Sequence, residues 1–299
     1  MKHAHEPPVN GQGKRLIAAI VLNFSIVGVE AAGGLASGSL SLLSDALHNF
    51  SDAFSLIVSF LALRLAGRKR SESRTFGYKR AEILAALANS LILMLVSFYL
   101  FKAAVERWTH PSPVNGVLMM AVASAGLLAN VASVLLLRRD SHGNLNIRAS
   151  YLHLVSDAFT SFAVIVGGAF VYFLGCAWVD SLLTLGIGLF VLIQGFHIVN
   201  RAIHILMQAA PEGMDVNELK EAVESIPGVL NIHHVHVWRL TDREIHCEAH
   251  VNLSKDVRVS ETGELKNRLE ETLRRRFHVT HATFQFEFNS CEGVPLVKP

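Results

Sequence analysis

The 299-residue sequence is poor in charge. Only 17% of its residues are Asp, Glu, Lys or Arg, and the net charge is +2. A balance so near neutral gives no electrostatic footprint for nucleic acid, and no nucleic-acid partner is expected. Cysteine is scarce too. Cys176, Cys247 and Cys291 form no CxxC pair, which argues against a disulfide framework. No HExxH stands anywhere in the chain, which weighs against an intramembrane metalloprotease. The first apolar run has no small-residue cleavage site after a short core, so it reads as a retained span rather than a signal peptide.

What the chain has in quantity is apolar length. Hydrophobic residues make up 51% of it, and the mean hydropathy is +0.36. Six runs of about 20 residues or more are each long enough to cross a bilayer: roughly 16–36, 41–65, 83–105, 114–137, 149–174 and 179–206. From about residue 209 the text turns polar and punctuated, as in PEGMDVNELKEAVESIPG. The expected organisation is an N-terminal tail (1–13), a six-helix transmembrane bundle (14–208) and a soluble domain (209–299). Lys and Arg crowd alternate connections: Lys14 and Arg15, seven residues from Arg64 to Arg80, then Arg138, Arg139 and Arg148, then Arg201. The other connections are bare. Arg107 is the main exception, and GCAWVD carries only Asp180. The positive-inside rule therefore places both termini in the cytoplasm, with the bilayer itself, by expectation the inner membrane, as the chain's solvent.

Against that apolar background one feature repeats. LHNFSDAF (47–54) recurs as LHLVSDAF (152–159). His48 and Asp52 are spaced i, i+4, as are His153 and Asp157, so each pair lies on one face of its helix, a turn apart. A carboxylate at the bilayer centre costs about 2.5–3.5 kcal/mol on insertion scales, so two such pairs call for a partner. Two imidazoles and two carboxylates from two helices supply the four N/O ligands of a tetrahedral Zn²⁺ site. The alternatives are helix–helix hydrogen bonding, which two near-identical copies make a poor fit, and a metal-free proton relay, which imidazole and carboxylate also serve.

Other polar residues in the runs read as support. Glu30 either lines the cation path or bonds within the bundle, the second being favoured. Asp45 faces an outer vestibule as cation attractor or proton acceptor, or else caps its helix. Asn49 and Asn130 read as interhelical hydrogen bonds. Ser51 and Ser156, repeated with the motif, are placed to orient the carboxylates. Gly-rich GGLASG and VGGAF suit close helix packing.

The soluble tail reads helix–strand–strand–helix–strand, with Asp215 and Glu218 as a capping box and a hairpin about TDRE. Strict alternation turns Val235, Val237, Ile245, Cys247, Ala249, Val251, Phe284, Phe286 and Phe288 toward the helices. It turns His234, His236, His246, Glu248, His250, Gln285 and Glu287 outward. So many histidines on one sheet face suggest a metal site, the alternative being a solvated surface.

Six runs, the paired HxxxD in runs 2 and 5, TFGYKRAEILAALAN (75–89) entering run 3, and GVLNIHHVHVWRL (228–240) opening the tail sheet together resemble the cation diffusion facilitators. The match is to the zinc-transporting bacterial type and covers essentially the whole chain. The resemblance implies a homodimeric divalent metal/proton antiporter, a secondary transporter and not an enzyme. Zn²⁺ would be its leading cargo, Cd²⁺ or Co²⁺ further ones, and protons the counter-ion. His48, Asp52, His153 and Asp157 would form the transport site. The tail would be a ferredoxin-like α-β-β-α-β domain with a regulatory metal site at His236, His250 and Glu287, which Cys291 could join. His3 and His5 could reach that site as well. A charge clasp near Arg80 and Glu212 would join spans to tail. Two features of some members are missing. The link between runs 4 and 5 has His142 as its one histidine, and the basic GRKRSESRTFGYKR loop holds none. The competing readings are a membrane metal sensor without transport and a metal-independent proton-relay transporter.

Overall fold

The computed structural model describes residues 10–66, 71–137, 145–289 and 296. His3, His5, His142 and Cys291 lie outside the described residues. Six long helices come first: α1 (Asn10–Ser37), α2 (Leu40–Ala66), α3 (Ala81–Thr109), α4 (Gly116–Leu137), α5 (Leu145–Leu174) and α6 (Trp178–Leu206). Each overlaps one of the six apolar runs. Four stretches among the described residues are long and apolar enough to cross a membrane: Ala81–Thr109, Gly116–Leu135, Val155–Leu174 and Trp178–Leu206.

The chain folds as two compact units, residues 1–60 with 86–199, and 61–85 with 200–299. In the first, α4 packs along both α5 and α1. Small residues allow the close approach: a Cβ on Gly116 would stand 2.7 Å from the Gly168 carbonyl across the α4–α5 contact. Leu42, Met119, Ala123 and Val164 are fully enclosed there and pack with Ile187 and Val191. Many apolar side chains point outward instead, Leu95, Leu128, Phe159 and Phe173 among them. Large exposed apolar surface on long helices is what a lipid-facing bundle presents.

The second unit holds the tail domain. Its elements follow the expected order: α7 (Val216–Glu224), β1 (Val229–Arg239), β2 (Ile245–Leu253), α8 (Gly263–Phe277) and β3 (His281–Glu287). Asp215 caps α7 by accepting from the Asn217 amide at 2.7 Å. Glu218 pairs instead with Arg276 of α8, at 3.0 Å. The sheet order is β1-β2-β3, with β1–β2 antiparallel and β2–β3 parallel through α8. Val235, Val237, Ile245, Cys247, Ala249 and Val251 enter the core with Leu219, Val223, Leu269 and Leu273 of the two helices. Phe284 and Phe286 pack against it. Phe288, expected beside them, is exposed because β3 ends at Glu287.

Candidate metal centres

In the helical unit the two copies of the repeated motif meet. His48 of α2 and Asp157 of α5 are 5% and 1% exposed, and His48 Nε2 stands 3.4 Å from Asp157 Oδ1. One imidazole and one carboxylate, a hundred residues apart in the chain, thus share an enclosed site. Two ligands of one tetrahedral Zn²⁺, at 2.0–2.2 Å each, are about 3.4 Å apart. Asp52 and His153 lie one turn away on the same two helices; their side chains are outside those described.

A polar lattice surrounds the pair. Asn130 of α4 approaches Ser161 Oγ of α5 at 3.5 Å, and Ser161 donates to Asp45 Oδ2 of α2 at 3.1 Å. Asn49 of α2 donates to Glu30 Oε2 of α1 at 3.0 Å. Gly126 of α4 leaves room for that carboxylate, since a Cβ there would lie 2.2 Å from Glu30 Oε1. Asp45, Glu30 and Asn49 are wholly buried. Asn49 and Asn130 therefore bond between helices as expected, and Asp45 bonds to α5 rather than capping α2. Ser51 Oγ accepts from Asn89 Nδ2 of α3 at 3.1 Å, so position 51 falls on the helix face turned to α3. No hydrogen bond from Ser156 to a carboxylate is found among the described residues.

The tail carries a second cluster, displaced from the expected one. His233, His234 and His250 bring one ligand nitrogen each within 4.8 Å of one another. Glu287 bridges two of them: Oε2 lies 3.2 Å from His233 Nε2, and Oε1 lies 2.8 Å from His250 Nδ1. His233 Nδ1 stands 3.1 Å from Asn231 Oδ1. With Nδ1–H donating to that oxygen, Nε2 would turn its lone pair toward Glu287, and a cation held by both would relieve the opposition.

His236, expected in this group, is exposed and sits in the next register row, opposite Glu248. The cause is a β-bulge. Register shifts between His233 and His236, and His234 holds φ at 48°. One extra residue in β1 moves every earlier position to the other face. Hence Ile232 and Val235 both face the core, while His233 joins His250. Farther along, His246 is buried against Trp238, His281 and Phe76. Cys247 is enclosed in the core under the helices, where burial pushes its thiol up to about 12.

The expected Arg80–Glu212 clasp is not among the ion pairs of the described residues. Glu212 is exposed in the Pro211–Gly213 turn. The pairs present are Lys79 with Glu244, at 2.5 Å, and Arg201 with Asp242, at 3.2 Å. Both acids lie in the β1–β2 hairpin.

Sequence reading passed over one cluster. Asp180, the lone charge of GCAWVD, is fully buried at the start of α6. It accepts from Ser39 Oγ at 2.6 Å, Ser41 Oγ at 2.6 Å, Leu40 N at 2.9 Å and Ser41 N at 3.2 Å. Arg107 of α3 reaches it at 3.4 Å and also donates to Gly38 O at 2.6 Å. The available signal was that Arg107 and Asp180 are the two charges that break the pattern on the same side of the membrane.

Comparison with known proteins gives a consistent result. Residues 16–207 match the family described as the cation efflux transmembrane domain, and residues 211–288 match the cation efflux protein cytoplasmic domain. The cadmium, cobalt and zinc/H(+)-K(+) antiporter of Bacillus subtilis (strain 168) is 35% identical over 289 residues, covering 96% of this chain and 92% of that protein. Zinc transporter ZitB of Escherichia coli (strain K12) is 33% identical over 300 residues, covering 98% and 95%. The metal cation efflux system protein CzcD of Cupriavidus metallidurans is 34% identical over 290 residues, covering 97% and 91%.

Proposed function

The chain belongs to the cation efflux family, and we propose that it is a homodimeric divalent cation/proton antiporter that exports Zn²⁺ from the cytoplasm. The six long helices cross the inner membrane over residues 14–208, and residues 1–13, with the first turn of α1, and 209–299 are cytoplasmic. The observation that carries this is the junction of the two motif copies, with His48 Nε2 3.4 Å from Asp157 Oδ1 inside the bundle. Asp52 and His153 complete a His₂Asp₂ set around the cargo ion. The names of the relatives support Zn²⁺ first, with Cd²⁺ and Co²⁺ as further cargo.

Coupling follows from the chemistry of the ligands. Zn²⁺ binds neutral imidazole and ionised carboxylate, so metal and protons compete for the same atoms. Facing a near-neutral cytoplasm, the site takes metal and gives up protons. Facing the outside, incoming protons take the ligands and the metal leaves. Alternating access requires one helix group to rock against another. Buried Asp45, Glu30 and Asn49 hold the site's surroundings polar without adding to the four ligands. The tail cluster of His233, His234, His250 and Glu287 binds cytoplasmic Zn²⁺ as a regulatory ion and biases the dimer.

The test is metal uptake into proteoliposomes under an imposed pH gradient, run with Zn²⁺, Cd²⁺ and Co²⁺ and with internal pH recorded. Zinc movement locked to opposing proton movement is expected. Zinc binding without flux would make the protein a sensor. Proton flux without metal would make it a relay transporter.

A further inference from the structure

The Asp180 cluster lies at the start of α6, against the α1–α2 corner and the end of α3. Its acceptor oxygens belong to α6, its backbone and hydroxyl donors to the α1–α2 corner, and its guanidinium to α3. One carboxylate therefore ties three parts of the bundle together. It also supplies the acceptors that the first amides of α2 lack within their own helix, and its charge suits that helix end. Asp180, Ser39 and Ser41 are wholly buried. Charge-assisted hydrogen bonds to both oxygens are what allow an aspartate to stay there.

Directly inward of this clasp sits an apolar plug. Leu40, Leu100 and Ala104 are buried, with Leu43, Leu47 and Leu185 packed on them. The plug draws on the same elements, α2, α3 and α6. His48 follows Leu47 in α2, eight residues from Leu40 and thus about 12 Å along the axis. Clasp and plug together stand between the motif of α2 and the outer end of the bundle.

We propose that Asp180 is the positioning residue of an outer closure. It holds α2, the helix that carries His48 and Asp52, against α3 and α6, and parting this clasp is the step that opens the site outward. The inference rests on the transport reading, which gives the outer half something to release. Asp180 touches no cargo. It acts through the position of α2.

The experiment reads outer access directly. A cysteine replaces Ser44, a buried residue of α2 one turn outward of His48, in a Cys176→Ser background. Cys247 is buried with its thiol pushed up to about 12, so it stays unreactive, and the tail faces the other side. A membrane-impermeant maleimide is applied to the outside of intact cells. Asp180→Asn keeps the side-chain shape but brings N–H groups against the donors of α2. Labelling at position 44 is expected to rise at least fivefold, with Asp180→Glu closer to the parent. Equal labelling with and without Asp180→Asn overturns the inference. So does an equal rise at a Ser133→Cys control in α4, which reports general loosening. Where Asp180→Asn does not assemble, Ser39→Ala with Ser41→Ala removes two donors. At least a twofold rise is then expected, and no rise overturns the proposal. Labelling needs no zinc, so an unaltered protein without zinc flux would sink the transport reading and leave this result standing.

Discussion

The helical unit and the tail sheet each gather histidine and carboxylate, but by different geometry. In the bundle the ligand candidates come from two uninterrupted helices, four residues apart on each, and the surroundings are buried hydroxyls, amides and carboxylates. In the tail they come from three strands, with one glutamate bridging two imidazoles on a partly open sheet face. A buried imidazole and carboxylate on two packed helices suit the proposed passage of an ion. A surface cluster whose ligands lie on separate strands suits an ion that changes how the strands, or two copies of them, sit. The contrast predicts that the two sites fail independently.

The largest effect should come from the bundle. Asp157→Ala removes a carboxylate that His48 faces and leaves at most three ligands for a dication. Zinc flux in proteoliposomes is expected to fall at least a hundredfold, about 2.7 kcal/mol or more in barrier, while the dimer elutes unchanged. Flux near that of the parent would remove Asp157 from the site.

The complementary break is in the tail. His233→Ala with His250→Ala leaves Glu287 with neither imidazole partner. Equilibrium dialysis should find one bound Zn²⁺ fewer per protomer, and zinc flux should stay within about fivefold, 1 kcal/mol. Unchanged metal count would make the cluster a solvated surface. Flux lost as fully as in Asp157→Ala would make the two sites one system.

The same contrast governs what the sequence alone could reveal. HxxxD on a regular helix has one geometric meaning, so the spacing put His48 with Asp52 and His153 with Asp157 on single faces, and the structure brings His48 and Asp157 of those faces together. On β1 the period is two, and a single bulge at His234 reverses the parity, so alternation turned His233 inward where the strand in fact sets it opposite His250. A positive φ at a non-glycine residue leaves no mark that spacing could detect. The tail's element order was legible because caps, turns and amphipathic periods are local signals. The Lys79–Glu244 and Arg201–Asp242 pairs and the Arg107–Asp180 clasp were not, because pairing between elements distant in the sequence depends on tertiary placement. Even so, an arginine and an aspartate that both break the charge pattern on one side are natural partners, and the structure joins them.

The measurement closest to the central claim exchanges one ligand without losing it. His48→Asp keeps four candidate ligands but makes three of them carboxylates, and the site becomes one unit more negative. Imidazole favours Zn²⁺, while carboxylate oxygen suits harder ions. An imidazole titrates near neutrality and a free carboxylate well below it. If His48 holds the cargo ion, the flux ratio of Mn²⁺ to Zn²⁺ in proteoliposomes rises at least tenfold, and the pH dependence of zinc flux shifts with it. A variant with the parent's metal preference and pH profile would show that His48 does not touch the ion, and the reading of the repeated motif would be wrong.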